Sequence, residues 1–266
     1  VSSPEHVAVR GAPDKPRRKP RRSGIGGQIA RLVFPDRSLV TSREVPGPGA
    51  IEPQLWSQLV FLSEPQCQCC ATAFEFEVDP GQLCGACIAL PRAHARARAA
   101  LEYGDISREM VLALKRAGRR DGLPLFAGWM PDAAPDLVSE ADLIGPVPLH
   151  YRRHLVRGFN QSMWLAAAVS RRTNTRLSVD ALVRRRPTPS QAGLTPAGRR
   201  RNMEGAFAAR KSRLRRLKDA RVLLVDDVFT SGATAEACAR ALIRGGARCV
   251  DVLTLARVAG PRSVPI

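Results

Sequence analysis

Apolar residues along this chain switch between two spacings, and the switches mark its elements. After Pro53, residues Leu55, Trp56, Leu59, Val60 and Leu62 fall close to helical spacing and predict a short amphipathic helix. The stretch Leu101–Ala117 repeats that pattern, with Ile106, Met110, Val111 and Leu114 on one face, until Gly118 and Gly122 break it. Asn160–Arg172 is a third predicted helix, offering Met163, Trp164, Ala167 and Ala168 for packing. Residues 143–149 (Leu-Ile-Gly-Pro-Val-Pro-Leu) read instead as a short strand entering a proline-rigid loop. Val222–Val225 is a continuous apolar strand, Ala233–Arg244 a helix stopped by Gly245-Gly246, and Cys249–Leu255 another strand. That order is a βαβ unit, which requires a parallel sheet. No internal repeat interrupts it.

The first fifty residues fit neither spacing. They hold seven Pro and six Gly and the run Lys15-Pro16-Arg17-Arg18-Lys19-Pro20-Arg21-Arg22, so residues 1–50 are expected to be a disordered basic tail. A small unit at 51–95 (short helix plus cysteine-rich segment) and a larger one at 96–266 are expected to follow. The net charge of +18 is unevenly placed: +6 in residues 1–50, +11 in residues 184–218, and +1 in all the rest. Such segments attract phosphates, in nucleic acid or in a small polyanion. No apolar run approaches the roughly 18–20 residues of a membrane span, and no apolar leader stands near the start; a cytoplasmic protein is expected.

Five of the seven cysteines lie between residues 64 and 91. Cys67-x2-Cys70 and Cys84-x2-Cys87 are two knuckles with thirteen residues between them, the pattern of a tetrahedral thiolate site for structural zinc. Phe74–Val78 alternates like a strand and Asp79-Pro80-Gly81 turns the chain back, as in a zinc ribbon. An iron–sulfur cluster would use the same ligands, a disulfide pair would need an oxidising compartment, and a redox dithiol would need only one knuckle. Cys69 is an extra thiol inside the first knuckle. His94 lies close by in sequence and is expected at the surface, because four thiolates already complete a site.

The most informative stretch is Val222-Leu223-Leu224-Val225-Asp226-Asp227-Val228-Phe229-Thr230-Ser231-Gly232-Ala233-Thr234. Two carboxylates stand at the C-terminal end of a buried strand, where ligands bind in parallel α/β sheets. A small hydroxyl-rich loop then leads into a helix N-terminus, which offers free N–H groups and partial positive charge. The loop suits a phosphate and the carboxylates suit a sugar diol, so a ribose 5-phosphate satisfies both. A nucleotide hydrolase would need a Gly-Lys dipeptide in its phosphate loop, and the chain has none.

This segment resembles the phosphoribosyl diphosphate (PRPP) signature of type I phosphoribosyltransferases. Further pieces resemble the ComF family, competence-associated proteins that join a zinc ribbon to such a domain. They are Leu114-Lys115, Pro146–Leu149, Arg153, Arg157-Gly158-Phe159-Asn160-Gln161-Ser162, Gln191, Arg200, Asn202, Gly205-Ala206-Phe207 and the cysteine knuckles. Phe229 departs from the signature, where a smaller aliphatic is usual. The resemblance covers about residues 52–258. It implies an α/β, type I phosphoribosyltransferase-like parallel sheet flanked by helices and preceded by a small zinc ribbon. It implies ribose binding by Asp226 and Asp227, with 5-phosphate binding by Thr230, Ser231, Gly232, Ala233 and Thr234. Val147 and Pro148 would form a pyrophosphate loop, with Arg153 or Arg157 as countercharge and Lys115 as a further PRPP-binding candidate. Loop 186–205 would be a closing hood that brings Arg199, Arg200 or Arg201 to the leaving group, with Arg200 the catalytic choice. The implied reaction is a magnesium-dependent phosphoribosyl transfer releasing pyrophosphate. The competing reading is an accessory protein of DNA uptake that binds single-stranded DNA and keeps a non-catalytic or regulatory PRPP site. The sequence names neither the acceptor nor the oligomeric state.

Overall fold

The computed structural model describes residues 35–116, 118–149, 158–188 and 195–259. Its strands are β1 (Ala97–Glu102), β2 (Leu143–Pro146), β3 (Leu182–Arg184), β4 (Phe207–Ala209), β5 (Arg221–Phe229) and β6 (Cys249–Arg257). Its α-helices are α1 (Pro53–Trp56), α2 (Gly85–Ala89), α3 (Asp105–Arg116), α4 (Leu123–Asp132), α5 (Pro135–Ser139), α6 (Gln161–Thr173), α7 (Pro196–Met203), α8 (Leu214–Leu217) and α9 (Ala233–Arg244). Strands β1, β6, β5 and β2 form one parallel sheet in that order, as the βαβ pattern requires, and β3 and β4 form an antiparallel pair beside it.

Both faces of the sheet are covered, which is why Val222–Val225 of β5 reads as an unbroken apolar run and β6 is mostly apolar. Val222, Leu224, Val250 and Val252 point to the side holding α9 and the cysteine segment. Leu223, Val225, Leu253 and Leu255 point to the side holding α3, α4 and α6. Helix α6 begins at an Asn160 cap, whose side chain accepts from the Ser162 N–H, and ends on Asn174 in the left-handed conformation.

Several expectations are corrected. The helix expected over Leu55–Leu62 is a single turn, because the residues after it pair with β1: Leu62 N–H donates to Ala100 (3.0 Å) and Glu102 N–H to Val60 (2.8 Å). The cysteine segment thereby covers the outer edge of β1, an edge that would otherwise be open to another chain. The helix expected from Leu101 begins at Asp105, since β6 claims Ala97–Glu102 as a strand. No strand forms at Phe74–Val78, although the turn after it does, with Gln82 N–H donating to Asp79 (3.2 Å). The disordered tail expected over residues 1–50 does not extend over residues 36–50. Ser38 and Leu39 are buried, and Arg119 binds the Ser38 carbonyl (2.6 Å). Residues 1–34 lie outside the described residues.

Candidate functional site

The parallel register brings two chain turns together at the C-terminal ends of neighbouring strands. Pro146 of β2 pairs with Val225 of β5, and the Val147 N–H then donates to the Val225 carbonyl (3.0 Å). Beside them opens a cleft of about 390 Å³. Of the residues expected there, Lys115, Val147, Pro148, Asp226, Asp227, Thr230 and Thr234 line it. Tyr103, Gln161, Ser162, Arg184 and Arg199 join them.

The acidic pair is held from α3 and α6. Lys115 Nζ lies 2.9 Å from Asp227 Oδ1, and Gln161 Nε2 donates to Asp227 Oδ2 (2.8 Å). Ser162 Oγ donates to Asp226 Oδ1 (2.7 Å), which also accepts the Asp227 N–H (2.9 Å). Asn160 adds a third tie, donating to the Val147 carbonyl (3.1 Å). The run Asn160-Gln161-Ser162 therefore fixes both turns of the site from one helix start. Asp226 Oδ2 has no hydrogen-bond partner among the described residues. Burial first, and then the charge of Asp227, push the Asp226 carboxyl up to about 7. A half-buried carboxylate with one oxygen uncommitted suits a ligand hydroxyl or a metal-bound water.

The loop after β5 turns tightly into a helix start, an arrangement that could receive an anion. Gly232 caps α9 at φ +74°, a conformation costly for other residues, and a Cβ there would lie 2.7 Å from the Phe229 ring. The first N–H groups of α9, a helix of twelve residues, have no intrahelical acceptors. The buried Ser231 hydroxyl has no partner among the described residues.

The three adjacent arginines do not share one cavity. Arg199 and Arg184 line the cleft, whereas Arg200 and Arg201 line a separate groove of about 290 Å³ between α7 and α9, with Arg240 and Arg244. Successive residues of a helix leave it in different directions, so three adjacent arginines cannot share one target. Arg184 was missed because its strand is three residues long. Arg153, Arg157 and Gln191 lie outside the described residues.

Across the sheet, Cys67, Cys70, Cys84 and Cys87 form a buried cluster whose sulfurs all lie within 4.8 Å of one another. That spacing and donor set could hold a zinc ion. The Cys84 N–H donates to Cys67 Sγ (3.2 Å), and Thr72 Oγ1 is 2.9 Å from Cys70 Sγ. Hydrogen bonds to Cys67 and Cys87, with Thr72 and Arg257 adding to them, hold Cys70 far below the usual thiol range. His94, expected at the surface, is 2% exposed and packs edge-on against Phe229.

Residues 160–265 match the family described as phosphoribosyl transferase domain. DNA utilization protein YhgH of Escherichia coli O6:H1 is 35% identical over 152 residues, covering 57% of this chain and 59% of the relative. Competence protein F of Haemophilus influenzae is 34% identical over 116 residues, covering 44% of this chain and 50% of the relative. The chain thus spans about three fifths of the length of these relatives at most. The solved allosteric regulatory enzyme of purine biosynthesis is a distant likeness, with 18% identity and a TM-score of 0.37 over 54% of this chain and 30% of that one. The resemblance read from the knuckles and the Asp226–Thr234 segment is borne out by these relatives. No helix of the described residues is long and apolar enough to cross a membrane.

Proposed function

We propose that this chain, a relative of competence protein F carrying a phosphoribosyl transferase domain, binds PRPP and transfers its phosphoribosyl group to an acceptor, releasing pyrophosphate. One observation carries the reading. Asp226 and Asp227, with Thr230 and Thr234 from the two ends of the loop that follows, line one cleft at the strand end, which also receives Lys115, Arg184 and Arg199. The 5-phosphate takes the loop and the start of α9. The ribose hydroxyls take the uncommitted Asp226 oxygen. The pyrophosphate lies against the Val147–Pro148 turn and is held by the cationic side chains, because the Val147 N–H is committed to Val225 and Pro148 has none. The acceptor's lone pair forms the new bond at the ribose C1 as the C1–O bond to pyrophosphate breaks, and the electron pair leaves with the pyrophosphate. Lys115, Arg184 and Arg199 stabilise the charge that gathers there. Magnesium would neutralise the diphosphate and fit beside Asp226. In this reading the cysteine cluster holds structural zinc, since four thiolates leave no open position.

Calorimetry with PRPP, with and without magnesium, tests the site. Magnesium-dependent binding that is lost in Asp226→Asn/Asp227→Asn supports it; no binding by folded, metal-loaded protein overturns it. Pyrophosphate release in an acceptor screen then separates transfer from regulatory binding.

A second reading, handling of single-stranded DNA, is favoured by the relatives' names and by the α7–α9 groove. There Arg200, Arg201 and Arg244 have no ion-pair partner among the described residues. Binding through backbone phosphates must weaken steeply with salt. Salt-insensitive DNA binding, or none, rejects it.

A further inference from the structure

Phe229 departs from the family signature, and its surroundings say what it does. Its ring lies beneath the phosphate loop, where it blocks any side chain at Gly232. The edge of that ring meets His94, with ring centroids 6.0 Å apart and planes at 80°. His94 in turn reaches the first cysteine knuckle, where Nε2 donates to the Cys69 carbonyl (3.1 Å). Ala93, next to it, donates its N–H to Glu236 Oε2 in the first turn of α9 (2.6 Å). A second route runs through the end of β6. Arg257 donates to the Cys70 carbonyl (2.5 Å) and to Thr72 Oγ1 (2.5 Å), and the next residue, Val258, donates its N–H to the Phe229 carbonyl (2.9 Å). The knuckle backbone is therefore one or two side chains away from both the ring and the carbonyl of Phe229.

The far end of the loop is tied, with the Gly232 carbonyl accepting the Glu236 N–H (2.8 Å); its middle is less so. Gly232 sits in the left-handed conformation, and the Ser231 hydroxyl has no partner among the described residues. Its shape depends on what lies under it, and what lies under it is Phe229, clamped from the cysteine side.

We infer that the cysteine knuckle is the support of the phosphate loop, with His94 and Phe229 as positioning residues for the 5-phosphate. The inference rests on the reading of the cleft as a PRPP site. It gives the ribbon a role in ligand affinity beyond covering the β1 edge. An isolated aliphatic at position 229 would leave His94 without its ring contact and the loop without its clamp.

The test uses the full-length, metal-loaded chain and three readouts: metal content, amide hydrogen exchange over Phe229–Glu236 without ligand, and calorimetric affinity for magnesium–PRPP. His94→Gln keeps an amide donor for the Cys69 carbonyl and loses the ring; His94→Ala loses both. The expected result for His94→Ala is an unchanged metal content, with loop exchange faster and PRPP affinity weaker by about tenfold each, an effect of about 1.4 kcal/mol. His94→Gln should fall between, and the effect of His94→Gln should shrink in a Phe229→Leu background, because the shared contact is already gone. Should His94→Ala lose its metal or fail to fold, His94→Gln and Phe229→Leu decide the matter. Wild-type loop exchange and PRPP affinity in metal-loaded His94→Gln and Phe229→Leu would overturn the inference. Failure of the wild-type protein to bind PRPP would instead remove the proposed function, and the ligand-free exchange would still decide whether the knuckle supports the loop.

Discussion

Replacing Asp226 by Asn should make the protein more stable and useless for PRPP. Asp226 is half-buried, its neighbour Asp227 is 4% exposed, and one cation, Lys115, lies against the pair. The fold pushes the Asp226 carboxyl up to about 7 from an ordinary 3.8. A raised carboxyl means that the charged form is disfavoured in the fold. The cost is absent below pH 3.8, grows as pH rises, and is complete above about 7. Across that gap it is on the order of 4 kcal/mol as an upper bound. Asparagine keeps an oxygen to accept from Ser162 and the Asp227 N–H, but it loses attraction to Lys115, so a net gain of about 2 kcal/mol at pH 8 is expected. For a domain of this size, that is a rise in Tm of roughly 4–8 °C. At pH 5 the wild-type carboxyl is already largely protonated in the fold, and the advantage should shrink to less than half. Urea unfolding of both proteins at pH 5 and pH 8 measures it. An Asn variant no more stable than wild type at pH 8, or one whose gain is the same at both pH values, would refute the reasoning.

Other outcomes follow from the same geometry. Lys115→Met should weaken PRPP binding by at least tenfold, since it removes the countercharge of the acidic pair; losing that charge pushes the Asp226 carboxyl up further, so calorimetry at lower pH shows a larger loss than at higher pH. Arg199→Ala should weaken pyrophosphate binding by about tenfold, and more than Arg200→Ala does, because only the first lines the cleft; equal losses in a competition assay would reject that placement. Gly232→Ala should cost at least 2 kcal/mol in urea unfolding, from its left-handed backbone and the Phe229 ring 2.7 Å away. Metal release by a thiol reagent should yield one zinc per chain with no visible absorption band; iron in the eluate would reassign the cluster.

The central β5–α9–β6 unit was legible because both sheet faces are covered, so its strands are rich in apolar residues and its helix ends on glycines. Strand β1 was not legible. Ala-Arg-Ala-Ala-Leu-Glu has the composition of a helix, and it is extended because β6 on one side and residues 60–62 on the other claim its backbone. The roles of Gln161 and Ser162 were half legible. Two polar residues buried at the start of a packed helix must find partners, and that rule predicts that each is tied to something. Which carboxylate each one holds depends on the register between β2 and β5, which no local pattern shows. His94 misled for a related reason: completing a metal site with four thiols says nothing about what a nearby ring packs against.

Two carboxylates on neighbouring strands of the sheet, the buried Asp251 and the half-buried Asp226, separate stability from function by how they are treated. Asp251 of β6 is fully buried at the N-terminal side and is saturated. Arg96 grips both of its oxygens (3.1 and 2.9 Å), and Arg221 adds a third contact at 3.2 Å. Removing one partner from such a group strands a buried charge, so Arg96→Met should cost about 3 kcal/mol in urea unfolding and leave magnesium–PRPP affinity as it was. Asp226 of β5, at the other end, receives a hydroxyl, a backbone N–H and the more distant charge of Lys115, and its other oxygen has no hydrogen-bond partner among the described residues. A fold that wanted only stability would satisfy it as it satisfies Asp251. Leaving it underpaired is what a ligand-binding group requires, because its remaining bonds must be made to the substrate. The pair of variants tests this directly. Arg96→Met should lose stability without losing affinity, and Asp226→Asn should lose affinity while gaining stability. If both lost stability alone, the Asp226 carboxyl would be structural and the cleft would have no claim on it.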